Sequence, residues 1–423
     1  MRKGVDRTDV VVIGGGIMGA STALWLAERG LAVTLCEKGE IGREQSGRNW
    51  GWCRTFGRDI RELELSLLSL RLWRGLNEMI GRETGFRQSG ILSLAEDDDH
   101  LDTLRTMHQQ LAGSEVAAEL IDGNAAARLT TGAVRQWLGG LHAPGDGRAE
   151  PLLAAPAIAE GARDKGAVLH TGSVVQGIDM SGGRVSAVET SRGRIDCDAV
   201  VIAAGAWSTK LCRQLGFRFP QLIVNETVCR TAPVSGGPDV SLRTKAYSLR
   251  RRLDGGYTVG GGGKIRAELT PDSFRFFRDF IPILRAYGSM IQLRPTDHAW
   301  SDWKTLLGAE PSSHMLDPPP DEVLSRRVCG ALARDFPAFA GIDIVERWAG
   351  GIDVTPDALP VISPLPVSGA FLLTGFSGHG FGMGPGAGAL MAALVAGDTP
   401  PIDPRPFDVS RLTSGEKIVL GPL

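Results

Sequence analysis

Cysteine is scarce in this chain and shows no pairing pattern. The six residues Cys36, Cys53, Cys197, Cys212, Cys229 and Cys329 include no C-x-x-C and no histidine at ligand spacing. That argues against both a zinc site and a disulfide framework, so no metal is expected, and scattered thiols fit a reducing compartment. Net charge is nearly absent too: 46 Lys and Arg against 48 Asp and Glu leave −2. Such a balance offers no basic face to nucleic acid and no polybasic patch to a membrane. No internal repeat or low-complexity linker interrupts the sequence. The first apolar run starts within about ten residues, leaving no room for a signal peptide, so the expected location is the cytoplasm.

What remains is ordinary for a globular protein, with 43% hydrophobic and 22% charged residues. A length of 423 residues exceeds one simple core, so two domains are expected. Glycine is plentiful at 56 residues and clusters in a few places.

The first cluster organises the chain. Val10 to Ile13 read as a strand buried on both faces, and Gly14, Gly16 and Gly19 follow at G-x-G-x-x-G spacing. A helix containing Ala20, Ala23, Leu24 and Ala27 comes next, then a strand from Leu31 to Cys36 that ends on Glu37. Each piece has a mechanical reason. Gly14 permits the sharp turn, Gly16 lets backbone approach a pyrophosphate, and Gly19 lets helix and strand pack closely. The helix N-terminus favours phosphate, and Glu37 can accept ribose hydroxyls and disfavours a 2′-phosphate. Glu28 and Arg29, with three consecutive glycines, make residues 10 to 27 a poor membrane span. The pattern in register predicts dinucleotide binding.

From Lys38 to Asp59 the chain is polar and Gly-rich, too polar for a buried strand and too rich in glycine for a stable helix. It holds Trp50 and Trp52 with Arg48 and Arg54 nearby. The tryptophans read either as core plugs or as an aromatic wall beside a flat ligand, with an arginine to hold an anion. Residues 61 to 80 predict a helix with Leu63, Leu67, Leu70, Trp73 and Leu76 on one side. Residues 90 to 96 predict a strand, and Asp97 a cap for a helix reaching about Leu111. After a mixed region from 114 to 145, an α/β pattern returns: helix 151 to 165, then strands Ala167 to His170, Val174 to Ile178, Val185 to Thr190 and Ala199 to Ile202. The last runs into Ala203-Ala204-Gly205-Ala206-Trp207-Ser208, either a plain turn or a close approach to a cofactor. Residues 222 to 335 read as an antiparallel sheet with helices: 271 to 286, a further helical stretch to about Leu307, and one containing Val323 to Leu332.

The second glycine cluster lies near the end. A strand from Phe371 to Thr374 leads into GFSGHGFGMGPGAGALMAALVAG, residues 375 to 397, whose glycines are expected to give way to a helix on Ala387, Leu390, Met391 and Leu394. A loop of this kind sets a helix N-terminus where it can stabilise negative charge. His379 within it is either structural or part of that anion site.

These motifs together, the fingerprint with AAGAWS, W-A-G-x-x-x-x-T-P-D-x-x-P and GFSGHGF with its PGAG helix, resemble the FAD-dependent amine oxidoreductases typified by D-amino acid, glycine and sarcosine oxidases. The resemblance spans nearly the whole chain and implies an α/β fold with an α+β second domain. A Rossmann-type FAD domain would be assembled from residues 1–90, 146–221 and 340–423, and a substrate domain with a large mixed or antiparallel sheet from 91–145 and 222–339. It implies oxidation of a C–N bond by hydride transfer to flavin N5, giving an imine that water hydrolyses. By position, Gly14, Gly16, Gly19 and Glu37 would hold the ADP half and Gln45 and Ser46 would lie near the diphosphate. The backbone of Val174 would sit near adenine, and Ala204, Gly205 and Trp207 close to the cofactor. Ile17, Met18, Lys38, Arg48, Asn49, Trp50 and Gly351 would complete the cradle, while Gly375, Gly378, His379, Gly380, Phe381 and Gly382 would approach the isoalloxazine ring. Arg54 would bind the substrate carboxylate, Trp50, Trp52 and Tyr257 would wall the pocket, and His379 would contact flavin or substrate.

Departures from the family pattern bear on substrate. Gly382 stands where monomeric sarcosine oxidases carry a lysine, and Ile352 where glycine oxidase and D-amino acid dehydrogenases carry an arginine. No cysteine near Gly350 matches the covalent attachment point, so noncovalent FAD is expected. No flavin-facing lysine matches in the strand from Tyr257 to Val259, which tilts the expectation toward a dehydrogenase. The substrate class is a small secondary amine, an N-substituted or cyclic imino acid, or a D-amino acid, with O2 or another redox partner as acceptor. Residues 348 to 363 are closer to the β subunits of heteromeric sarcosine oxidases and proline-type dehydrogenases. That leaves open partner subunits or a homo-oligomer, with a flavin-binding protein without turnover as the alternative from another class.

Overall fold

The structure is a computed structural model and describes residues 6–295 and 315–421. Two large sheets dominate it. The first centres on Asp6–Ile13, which runs parallel to Val33–Cys36 on one side and to Gly193–Ile202 on the other. Val168–His170 extends one edge in parallel, Ala370–Thr374 and antiparallel Val361–Pro364 the other, and the hairpin Val175–Ser181 with Arg184–Thr190 folds off Gly193–Ile202. Parallel strands buried on both faces require covering helices. Ile17–Glu28 serves one face, packed between Pro151–Asp164 and the C-terminal helix Gly380–Ala396. Leu63–Ile80 backs the C-terminal helix in turn.

That C-terminal helix begins earlier than the sequence suggests. Five glycines, at 380, 382, 384, 386 and 388, lie inside it rather than before it. Each costs roughly 1 kcal/mol of intrinsic helix stability relative to alanine, so packing must override propensity. A Cβ on Gly388 would stand 2.5 Å from Ser21 Cβ and 2.7 Å from Thr22 N, and one on Gly386 3.0 Å from Ser69 N. The glycines exist so that three helices can meet at backbone distance.

The second sheet has ten strands among the described residues, running Ile291–Arg294, Ile265–Glu268, Leu222–Thr231, Tyr257–Gly260, Ser248–Arg251, Ser241–Arg243, Ile91–Ala95, Gly139–Ala143 and Glu119–Asp122, with Ile344–Val354 also paired to Leu222–Thr231. It is mixed, because Ser241–Arg243 pairs parallel with Ile91–Ala95. Its core gathers Trp137, Tyr247, Tyr257, Phe336 and Phe339 beneath the helix Glu322–Asp335.

Three expectations are corrected here. Residues 344–354, assigned with the dinucleotide-binding segments, pair along ten positions with Leu222–Thr231 and so belong to the second sheet. The helical stretch after residue 286 instead becomes a turn of 3-10 helix and the strand Ile291–Arg294, and its remainder to Leu307 lies outside the described residues. The loop from Lys38 to Asp59 is not wholly irregular: Gln45–Arg48 forms one helical turn and Trp52–Cys53 pairs with Gly147–Arg148.

Candidate functional site

A cleft of about 730 Å³ runs between the two sheets, from the first glycine turn to the glycines before the C-terminal helix. That volume falls in the range of small-molecule and cofactor sites. At one end Gly14 turns with φ +106°, its Cα pressed against the Ala203–Ala204 backbone. Gly16 and the first turn of Ile17–Glu28 face the cleft, and Ser46 Oγ accepts from Ile17 N at 2.8 Å. Glu37 closes this end, its two oxygens each 2.7 Å from a backbone N–H, of Gly15 and Gly39. Burial nonetheless raises its carboxyl above the ordinary value. Lys38 lies 3.9 Å over the Trp207 ring and pairs with Glu44 at 2.6 Å, while Trp207 Nε1 donates to the same carboxylate.

The middle of the cleft is polar and tightly tied. Arg48 donates to Ala349 O and pairs with Asp317, Asn49 Nδ2 donates to Ser46 O, and Gln45 Oε1 accepts from Asp353 N. Asp353 is buried, and accepts from Gln221 Nε2, Thr374 Oγ1 and Gly375 N between 2.7 and 2.9 Å. That acceptor joins the two sheets at the edge of the cleft.

At the far end His379 sits at the N-terminus of the C-terminal helix, 4% exposed, with Nδ1 3.1 Å from Glu62 Oε2. Burial, with Arg58 adding to it, pushes the imidazole down to about 4. At neutral pH it is uncharged and donates Nδ1–H to the Glu62 carboxylate. Arg54, Arg58 and Arg243 line the same end, with Trp50 and Trp52 meeting edge to face at 5.2 Å. Trp50 lies against Gly260 and Gly261 of the second sheet, where a Cβ on Gly260 would stand 2.7 Å from its indole nitrogen. Glu226 faces the cleft from the strand Leu222–Thr231, flanked at i±2 by Val224 and Val228.

Of the residues singled out in the sequence, Gly14, Gly16, Ile17, Met18, Glu37, Lys38, Gln45, Ser46, Arg48, Asn49, Trp50, Trp52, Arg54, Val174, Ala204, Gly205, Trp207, Gly351, Gly378, His379, Gly380, Phe381 and Gly382 all border this one cleft. Three do not. Tyr257 points the other way, fully buried against Phe339 with its hydroxyl donating to Pro238 O, because its strand alternates faces. Gly375 packs on Thr355 and Phe219 and gives its N–H to Asp353, so it supports the loop from behind. Gly19 contacts the Gly14 carbonyl, spacing helix from strand. Val174 reaches the cleft with its N–H and carbonyl already paired to Ser191. Arg58, Glu62, Glu226, Arg243 and Asp353 were not singled out. Arg58 and Glu62 stand in and just after the polar, Gly-rich segment from Lys38 to Asp59, whereas nothing local marks Glu226 or Arg243.

The donor set fits FAD: a helix N-terminus and glycine turn for the diphosphate, an acid at the ribose position, and glycines that leave room for a flat ring. The family model described as FAD dependent oxidoreductase matches residues 9–394. Sarcosine oxidase subunit beta from Rhodobacter capsulatus is 26% identical, covering 97% of this chain and 90% of that protein. Human mitochondrial dimethylglycine dehydrogenase is 26% identical over 96% of this chain and 44% of its own length. Among solved structures, L-amino acid deaminase from Proteus myxofaciens superposes with a TM-score of 0.90 at 29% identity, covering 98% of this chain and 95% of that one. L-Proline dehydrogenase from P. horikoshii gives 0.80 at 26%, covering 97% and 99%. No described helix is long and apolar enough to cross a membrane. With the family match spanning nearly all of its length, the chain belongs to the FAD-dependent oxidoreductase family, whose members among these relatives act on amino acids and amines.

Proposed function

We propose that this enzyme oxidises the C–N bond of a small amine or amino acid that carries a carboxylate, using noncovalent FAD. The observation that carries the reading is the pair Arg54 and Arg58 beside the glycine turn at His379. Bound FAD supplies the two-electron acceptor that turns the amine into an imine. The chain's own residues do the rest by positioning. Arg54 and Arg58 hold the carboxylate, Arg58 through Nη2 because its Nε and Nη1 are buried, Trp50 and Trp52 form an apolar wall, and Glu226 accepts from the amine. Burial raises the Glu226 carboxyl, which suits it to take an ammonium proton and leave the nitrogen lone pair free. Neutral His379, fixed by Glu62, presents Nε2 as an acceptor, and the helix N-terminus behind it favours negative charge.

Two further observations support the reading. The Proteus myxofaciens structure is a complex with anthranilate, an aromatic amine bearing a carboxylate. Among the described residues the cleft-lining cysteine is Cys36, at the dinucleotide end, its thiol pushed up by burial to about 12 and so a poor nucleophile. Flavin released into the supernatant on acid denaturation is the expected mark of noncovalent attachment.

The test is anaerobic bleaching of the bound flavin's absorbance by sarcosine, D- and L-proline, hydroxyprolines, and D- and L-amino acids, followed by air. Recovery in air makes the enzyme an oxidase; persistent bleaching makes it a dehydrogenase with another acceptor. Failure of every carboxylate-bearing amine to bleach it sinks the reading. A second reading, that the chain works beside partner subunits, is favoured by the near full-length match to a protein named as a subunit beta. Native mass of the purified complex tests it.

A further inference from the structure

The end of the cleft beside the second sheet carries more positive charge than one carboxylate uses. Arg54, Arg58 and Arg243 all face it, and among the described residues none of the three side chains has a hydrogen bond or ion pair. Arg58 is the extreme case, with Nε and Nη1 buried and unpartnered. Desolvation is the largest cost for each: burial, then Arg58 and Arg243, hold Arg54 well below the ordinary arginine value. Burial lowers Arg58, with Glu62 and Asp146 opposing it and Arg243 adding a smaller push down, and burial lowers Arg243, with Glu226 opposing it.

The nearby acids leave that charge largely unmet inside the cleft. Glu62 is committed to His379. Asp146 takes the Thr55 N–H on both oxygens and its hydroxyl on one. Both stand behind the wall rather than on it. Glu226 does face the cleft, opposite Gly350, and is the acid that acts on Arg243. The site therefore offers three cationic groups and one anionic group to whatever fills it.

One carboxylate has two oxygens, and two guanidiniums meet its charge and its acceptor sites. Glu226 acts on the third arginine, Arg243; once the ligand's nitrogen takes that acid, Arg243, exposed in the open cleft and desolvated as the ligand seats, would lack a partner, and an unpaired buried charge is costly. Arg243 lies apart from the other two in the fold. It ends the short strand Ser241–Arg243, between Ser93 and Ser248 on the neighbouring strands, whereas Arg54 and Arg58 come from the loop against the C-terminal helix.

We infer that the substrate carries two carboxylates: Arg54 and Arg58 hold the one beside the amine, Arg243 holds the second, and Glu226 faces the nitrogen. The class is an amino acid with an acidic side chain, or an amine whose nitrogen bears a carboxyalkyl group. This inference rests on the reading that the cleft binds a carboxylate-bearing amine.

The test uses the FAD-loaded enzyme and the shift of its flavin absorbance on titration with propionate, malonate, succinate and glutarate. One of the three dicarboxylates should bind about tenfold or more tightly than propionate, as a charge-assisted pair is worth. In Arg243→Gln that ratio should fall to near one, and in Arg243→Lys, which keeps the charge, it should be partly retained. Propionate binding as tightly as every dicarboxylate overturns the inference and leaves the one-carboxylate reading standing. A preference that survives Arg243→Gln overturns the assignment to Arg243. If no carboxylate shifts the spectrum and no amino acid bleaches the flavin, the underlying reading fails and takes the inference with it.

Discussion

His379 Nδ1 lies 3.1 Å from Glu62 Oε2, and both side chains are buried. The two residues are 317 positions apart, so the contact ties the start of the C-terminal helix to the loop that supplies Arg54 and Arg58. It also gives the fold a pH signature. An unfolded histidine titrates near 6.5, and His379 in the fold near 4. Between those values the unfolded chain holds a proton that the folded chain refuses. This contribution is therefore complete above 6.5 and is lost as pH falls toward 4, by about 3 kcal/mol at most. Asp146, raised by burial to about 6, works in the opposite sense, losing stability as pH rises from 3.8 through 6. We expect the unfolding free energy of the native protein, relative to His379→Asn, to rise with pH from 4 to 6.5 and then level off. Urea titrations at a series of pH values measure it, and a flat difference would mean that the folded imidazole is charged.

Arg54→Ala should act on substrate capture more than on turnover. Removing one of the two guanidiniums takes away part of the carboxylate's charge-assisted hydrogen bonding in a desolvated site, at a cost of about 3 kcal/mol, or roughly a hundredfold in kcat/KM. We expect most of that in KM for carboxylate substrates, measured by anaerobic reductive titration beside steady-state rates. An unchanged KM would remove Arg54 from the binding site.

Gly388→Val should damage cofactor retention without touching the cleft. A Cβ there already meets Ser21 and Thr22 of the helix whose N-terminus faces the cleft, and overpacking of this kind costs about 1–3 kcal/mol or more. A lower melting temperature together with flavin lost on gel filtration is the expected pair of results. Retained flavin with a lowered melting temperature would show that the helix shifts without opening the site.

Glu37→Gln should weaken FAD by about tenfold, since an amide has one acceptor oxygen where Glu37 gives one each to Gly15 N–H and Gly39 N–H. Flavin dissociation followed by fluorescence measures this, and substrate KM should stay where it was.

Much of the dinucleotide end was legible because its signals are local. Gly14, Gly16, Gly19 and Glu37 fall within one strand–helix–strand unit, and the Asp97 cap, whose side chain accepts from His100 N, sits beside the helix it starts. The substrate end depends on pairings distant in sequence. Glu226 becomes a cleft residue only because Leu222–Thr231 pairs with Ile344–Val354, and no local pattern marks it. Tyr257 failed as a wall residue for the related reason that alternation gives two faces and the sequence does not say which is core. The C-terminal helix starts earlier than glycine propensity predicts, because tertiary packing overrides it.

The contact between Ile17–Glu28 and Gly380–Ala396 also sets an order of events during synthesis. Ile17–Glu28 leaves the ribosome well before its partner surface in Gly380–Ala396. Until Ala396 has emerged, the apolar residues Ile17, Met18 and Leu24 have no helix of glycine and alanine to cover them. The nascent chain therefore carries that hydrophobic stripe uncovered while the segments between the two helices are made, and only synthesis through Ala396 allows it to be buried.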